Sequence, residues 1–478
     1  MASLVKLPVE TLHRIGHFLA RLSTESLRNL CLANKTFNQI CSPWLIYRWG
    51  NSQECAEPGI ERFVMHLFRR PELRKKVKSL SIGYALAVGV SDLWHVNLDR
   101  EILRALAQAA ASDIKMEPEY LTSLCSDIER GYSDALNVLL LAWCTGVTHL
   151  SITIPPFELL DGEHSHVLTF TKQAILRLLP DEASAEELPL GEVRHFELHH
   201  SYKDHPVFFE IPFVFFHLPK IKSLVTSGLC DHHSYLASRR PNCDGSIGPL
   251  WFDYASRYAM SLPDASSNIE ELEFANFRLT RAGLPTLLLG IRNLKKLALH
   301  PYRDPEGIDP EEDRLWISEH LEICQDSLEE IDLQTEPPGD ILDPDTLRLE
   351  HGRVYDKIRE VTKDQYEKFI NLRRLSCPMT DLLEVVRLDV VPGRLPKTIE
   401  YLKPHCYDLV ANWDSKDRHL EPYIEGFIRM LKEAGPGHRL CNLKILDLSD
   451  AFLDDAERAD IRRLKDLAAD LGVRLLLK

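Results

Sequence analysis

The 478-residue chain contains no apolar run near the roughly 20 residues that a membrane-crossing helix needs, so no membrane partner is expected. Its eleven cysteines are scattered, odd in number and without a single C-x-x-C pair. That usage speaks against a disulfide framework and suits reduced thiols in the cytoplasm or nucleus. Basic residues are in deficit, 57 Lys and Arg against 72 Asp and Glu, which leaves a net charge of -15 and a pI near 5.8. This balance opposes phosphate attraction, and nucleic acid is not expected as a partner. Lys6, Glu10, His13 and Arg14 interrupt the opening, so no signal peptide is expected. The commonest catalytic signatures are also missing: no G-x-S-x-G, no G-x-x-x-x-G-K-[ST], no H-E-x-x-H and no G-x-G-x-x-G.

What is present describes a folded protein, 44% hydrophobic and 27% charged without a long low-complexity tract. Its length exceeds what one ordinary core supports, which calls for two or more domains or an elongated repeat array. One pattern, apolar-x-x-apolar-x-apolar, recurs ten times from residue 77 onward. The copies are VKSLSI, VTHLSI, VRHFEL, IKSLVT, IEELEF, LKKLAL, LEEIDL, LRRLSC, IEYLKP and LKILDL, beginning at Val77, Val147, Val193, Ile221, Ile269, Leu294, Leu328, Leu372, Ile399 and Leu443. The last two apolar positions lie two apart and face one side of a strand. Most copies follow a helix-like apolar stretch and a small turn, so each unit reads as helix, turn, strand. Strands joined through helices are expected to lie parallel with right-handed crossovers, and neighbours must stack because one unit cannot bury its own apolar face. An ordinary α/β domain whose strands begin alike is the alternative.

The pattern resembles the leucine-rich repeat signature L-x-x-L-x-L. Spacings from about 25 to about 70 residues and the missing Asn after the strand make it most similar to the divergent, helix-rich arrays of fungal proteins. IKSLVT and IEYLKP lack the final apolar residue. Pro-, Gly- and Asp-rich inserts read as surface loops. The aromatic stretch Val207 to Pro219, broken by Glu210 and Pro212, is expected to pack in the core rather than against a membrane or partner.

Three short helices are expected ahead of the repeats. Leu12, Ile15 and Leu19 have helical spacing after Pro8, Ser23 or Thr24 caps a second helix carrying Leu27 and Leu30, and a third carries Phe37, Ile40 and Cys41. A piece of about 45 residues is marginal as a lone core, so it must lean on the array, as a cap, or on another protein. LP-x-E at Leu7 to Glu10, the L-x-x-L-x-L of Leu27, Leu30 and Leu32, NK-x-F at Asn34 to Phe37 and P-x-L-x-x-R at Pro43 to Arg48 resemble an F-box. The resemblance implies a module that docks on the Skp-family adaptor of a cullin-RING ubiquitin ligase while the array chooses target proteins. Its adaptor-facing candidates are Leu7, Pro8, Ile15, Leu19, Leu30, Asn34, Lys35 and Phe37.

The expected organisation is therefore α/β: an F-box over residues 1–50, a helical linker over 51–76 that packs on the array, and an irregular right-handed leucine-rich-repeat-like solenoid over 77–478, with parallel strands on its concave face. Residues between the buried strand positions should face the target. His195, Glu197, Glu271, Glu273, Lys296, Glu330, Asp332 and Arg374 are the target-binding candidates, and the acids among them suggest a basic segment as ligand. His195, His199, His200, His205, Cys230, His232 and His233 form the densest group of metal-binding residue types. Their spacing matches no standard zinc pattern, so neither metal, cofactor nor catalysis is expected. A repeat scaffold acting without cullin, and a hydrolase or metal enzyme on an α/β core, are the rival readings.

Overall fold

The computed structural model of the chain describes residues 7–50, 59–83, 96, 98–154, 165–178, 188–200, 207–208, 210–230, 260–277, 283–301, 321–333, 366–378, 382–384, 389–390, 392–405, 421–449 and 459–477. They form an α/β protein with twelve strands in parallel-sheet arrangement, ordered in space as they are in the chain. The fold divides into two compact units: one holds the described residues through Leu224 with Met260 and Ser261, the other takes up the chain from Val225.

The first unit opens with α1 (Val9–Leu22), α2 (Thr24–Ala33) and α3 (Lys35–Cys41), followed by β1 (Arg48–Gly50), α4 (Ile60–Arg69) and a 3-10 turn at Pro71–Lys76. Next come β2 (Ser79–Ile82), α5 (Arg100–Asp113), α6 (Pro118–Arg130), α7 (Ser133–Trp143), β3 (His149–Ile154), α8 (His166–Leu178) and β4 (His195–His200). The pairs β1–β2, β2–β3 and β3–β4 are parallel. α7 is buried on most of its circumference, with Leu136 and Val138 to Leu140 fully buried and Asn137 enclosed beside them. Where the linker meets this core, the Arg74 guanidinium lies 3.9 Å from the centre of the Trp143 ring. Trp143 Nε1 donates to Asp113 Oδ2 at 2.9 Å, and Arg74 pairs with the same oxygen at 3.2 Å.

β5 (Val207–Phe208), α9 (Glu210–Phe216) and β6 (Ser223–Ser227) lead to the division, which falls within β6. The aromatic stretch packs inward: Ile211, Phe213 to Phe216 and Leu218 are buried, and Phe215 stacks 3.6 Å from Phe196.

The second unit contains β7 (Leu229–Cys230), β8 (Glu271–Phe277), α10 (Gly283–Leu289), β9 (Lys296–Pro301), β10 (Glu330–Leu333), β11 (Arg374–Pro378), β12 (Leu383–Glu384), β13 (Asp389–Val390), β14 (Tyr401–His405), α11 (Glu421–Lys432), β15 (Ile445–Asp447), α12 (Ala459–Asp470) and β16 (Arg474–Leu476). β8–β9, β9–β10, β10–β11, β11–β14, β14–β15 and β15–β16 are all parallel. β12 and β13 form a separate antiparallel pair.

All ten repeat patterns open strands of the parallel arrangement. Their shared register is visible at the strand entrance, where the carbonyl just before one strand accepts two successive N–H donors from the next repeat. Lys78 O receives Thr148 and His149, Glu329 O receives Arg373 and Arg374, and Glu400 O receives Lys444 and Ile445, all within 3.1 Å. The last apolar position survives its two substitutions, because Thr226 and Pro404 are both buried there. Two strands of the parallel arrangement fall outside the pattern. β16 follows α12 without it, and Arg48, read above as the tail of the helical module, opens β1 and pairs opposite Ser79. Among the described residues, no helix is long and apolar enough to cross a membrane.

Candidate docking and target-binding sites

The three N-terminal helices close on Ala20, Leu27, Cys31 and Cys41, with Leu19, Leu30, Ile40, Trp44, Leu45 and Tyr47 packed against that centre. The buried stripe of α1 is Leu12, Gly16 and Ala20, each four residues apart. Gly16 permits this approach, since a Cβ there would lie 3.0 Å from Trp44 Cδ1 and 3.1 Å from Cys41 Sγ. Ser23 Oγ accepts from the Ser26 amide at 3.1 Å to cap α2, and Asn34 Oδ1 accepts from the Thr36 amide at 2.7 Å to cap α3.

The adaptor-facing candidates therefore separate. Leu7, Pro8 and Lys35 are exposed, while Ile15, Leu19 and Leu30 are half-buried on the flanks of the core. Phe37 is only 5% exposed and belongs to the interior, so it holds the module together instead of presenting a contact surface. Asn34 has its carboxamide oxygen committed to the α3 cap. The sequence reading missed three side chains on the outside: Val9, Phe18 and Leu32 are 52%, 61% and 73% exposed. A signal existed, because Phe18 falls off the Leu12–Gly16–Ala20 stripe and must point elsewhere.

The outward strand positions line up in rows. In the first unit one row is Arg48, Ser79, His149, His195, and the next is Gly50, Ser81, Ser151, Glu197. In the second unit Glu271, Lys296, Glu330, Arg374 and Tyr401 form one row, and Glu273, Ala298, Asp332, Ser376 and Lys403 the next. All eight target-binding candidates thus lie on ladder rows, within their own units.

The electrostatic expectation needs correcting. Glu271 pairs with Lys296 at 3.2 Å and Glu330 with Arg374 at 3.4 Å. Asp332 lies 3.8 Å from His300 Nε2 and 3.9 Å from His405 Nε2. Instead of an acidic patch awaiting a basic segment, the face alternates in sign from strand to strand, because LKKLAL and LRRLSC interleave with IEELEF and LEEIDL. The residues just before the strands alternate likewise, with Lys295–Glu270 at 2.7 Å and Lys444–Glu400 at 2.6 Å.

The first unit differs. Its two entrance positions read Tyr47-Arg48, Lys78-Ser79, Thr148-His149, Arg194-His195 and Lys222-Ser223, with no acid among them. Here a cleft of about 450 Å³ opens over Tyr47 to Gly50, Ser79 to Ser81, His149 to Ser151, His195 and Glu197. Its floor is low because glycine and serines fill the second row, and a Cβ on Gly50 would meet Ser81 Cβ at 3.1 Å. The His149 and His195 rings stack at 4.5 Å. At the far end, the hydrogen bond from His199 draws the Glu197 carboxyl below the ordinary glutamate range against the effect of burial, helped by Ser151 and Arg48.

Among the described residues no three His, Cys, Asp or Glu side chains converge on a metal position. His205, His232 and His233 lie outside those residues. Ser376 Oγ and His405 Nε2 are 2.6 Å apart, which is the distance of an activated nucleophile. Asp332, however, approaches that same nitrogen, whereas a relay orients the base through its opposite nitrogen. Ser376 and His405 are 8% and 4% exposed, so the pair is a buried cross-strand contact. No family model matches the chain, and no curated protein matches it.

Proposed function

We propose that this protein is a non-catalytic substrate-recognition subunit of a cullin-RING ubiquitin ligase. In this reading the N-terminal module is an F-box that binds the Skp-family adaptor, and through it cullin and the RING protein. The leucine-rich-repeat-like strands and their faces hold target proteins. The observation that carries the reading is the exposure of Leu7, Val9, Phe18 and Leu32 on a module of about 45 residues whose own core is already closed. Four large apolar side chains exposed on one small module support a surface that another protein covers, although Leu176, Leu289, Ile323 and Ile370 are comparably exposed elsewhere. The mechanism would be proximity: a target held on the strands is presented to a ubiquitin-loaded enzyme, with no bond made by this chain.

The test is capture of purified Skp-family adaptor and cullin by the intact chain, beside a Phe18→Ser, Leu32→Ser variant. Both positions are exposed, so the variant is expected to keep its circular dichroism spectrum and lose both partners. Capture of adaptor without cullin would favour a scaffold acting outside the ligase. Failure of the unaltered chain to bind adaptor would remove the reading.

A further inference from the structure

We propose that the cleft over β1–β4, with the basic strand entrance beside it, is a docking site for an acidic peptide segment whose Asp or Glu carboxylates are read by Arg48 and Arg194. The inference rests on the receptor reading only in calling the bound segment a ligase target.

Three observations carry it. First, the charge pattern of the entrance rows changes between the units. In the second unit the ladder cations face carboxylates of neighbouring strands, as in Lys296–Glu271 and Arg374–Glu330. In the first unit those two rows hold cations, imidazoles and hydroxyls and no acid. Second, Arg48 is exposed beside the cleft and makes no ion pair among the described residues. The cross-strand neighbour of this guanidinium is Ser79, whose hydroxyl can donate to the same carboxylate. Third, the cleft has a low polar floor at Gly50, Ser81 and Ser151, which admits a side chain between Arg48 and the His149–His195 stack.

The spread of the cations selects the ligand. From Arg48 on β1 to Arg194 just ahead of β4 there are three inter-strand steps, or roughly 14 Å. An extended peptide covers that distance with about four residues. Two cations set apart in this way match two spaced carboxylates, whereas a single phosphate requires donors that converge. A nucleic acid strand would need open aromatic faces for its bases. The Trp49 ring is instead stacked on Phe63 at 4.8 Å, and the two histidines are stacked on each other.

The experiment is fluorescence anisotropy with the full chain and labelled decapeptides carrying Glu at alternate positions, beside the same peptides with Gln, with one phosphoserine, and an oligothymidylate of similar charge. The Glu peptide is expected to bind, the Gln peptide to fail, and Arg48→Ala to weaken binding about tenfold, as loss of one charge-assisted contact does. Arg48→Lys should fall between. Adding Arg194→Glu should abolish binding, and raising salt should weaken it. Equal binding of Glu and Gln peptides, indifference to Arg48→Ala in a folded variant, or preference for the phosphopeptide or the oligonucleotide would each overturn the assignment. No adaptor is present in this assay, so its failure leaves the adaptor reading standing, and failure of adaptor capture leaves this binding measurable.

Discussion

Thr226 shows how much a single residue can conceal. It occupies the inward position that the repeat normally gives to an aliphatic side chain, is fully buried, and its hydroxyl has no hydrogen-bond partner among the described residues. A buried unsatisfied hydroxyl costs about 1–3 kcal/mol, so Thr226→Val, which keeps the shape and removes the orphan, should stabilise the protein by about 1 kcal/mol. An upward shift of the urea midpoint would show it, and a downward shift would mean that the hydroxyl has found a partner. The cysteines give a second residue-level expectation. Burial pushes the Cys144 thiol from its ordinary 9.0 up to about 12, and Cys324 to about 11, while Cys441 is exposed. The unfolded chain releases these protons first, so stability falls as pH rises from about 9 toward the folded values. Alkylation of the native protein at pH 8 followed by peptide mapping should mark Cys441 and spare Cys144 and Cys324. Modification of Cys144 without unfolding would contradict the packing around α7.

At the scale of elements, the strands were legible and their fastenings were not. The pattern of two inward residues after an apolar anchor located ten strands, because the period of two leaves little freedom once one face is buried. It could not locate β1, since Arg-Trp-Gly offers only one inward side chain, and that side chain stacks on Phe63 of α4. Nor does the pattern reveal a staple just ahead of the strands. Asn371 Nδ2 donates to Asp326 O at 2.8 Å and Asn442 Nδ2 to Lys397 O at 2.9 Å. Both asparagines immediately precede the anchor of their repeat, and both acceptors stand two residues before the anchor of the preceding one. An Asn placed before the strand thus ties neighbouring repeats together at these two places. Asn371→Ala and Asn442→Ala should each cost about 1 kcal/mol by losing one hydrogen bond to a backbone carbonyl. Hydrogen exchange should quicken at β11 in the first variant and at β15 in the second. Equal quickening throughout the second unit would show that the staples are not local.

For the molecule as a whole, the rows of charge explain why strand acids read one repeat at a time give a different electrostatic picture from the paired strands. Glu271, Glu273, Glu330 and Asp332 do lie on outward rows, but reading each repeat alone hides the opposite charges that pairing places beside them. Through the second unit the entrance pairs run Glu-Glu, Lys-Lys, Glu-Glu, Arg-Arg, so each strand meets neighbours of opposite sign and is repelled by the strand one place further. Such alternation favours the native neighbour over a skipped one, which matters where inserts between repeats are long and strand entrances alike. Lys295→Glu combined with Lys296→Glu places like charges on three adjacent strands, β8, β9 and β10. The variant should unfold at lower urea than the unaltered chain at about 0.1 M salt, with the gap closing near 1 M as the screening length shrinks from about 10 Å to about 3 Å. Both lysines are substantially exposed, so the effect should be electrostatic and salt-sensitive rather than a loss of packing. A gap of equal size at both salt concentrations would assign it to the lysine stems, and the alternation would then carry no role in ordering the strands.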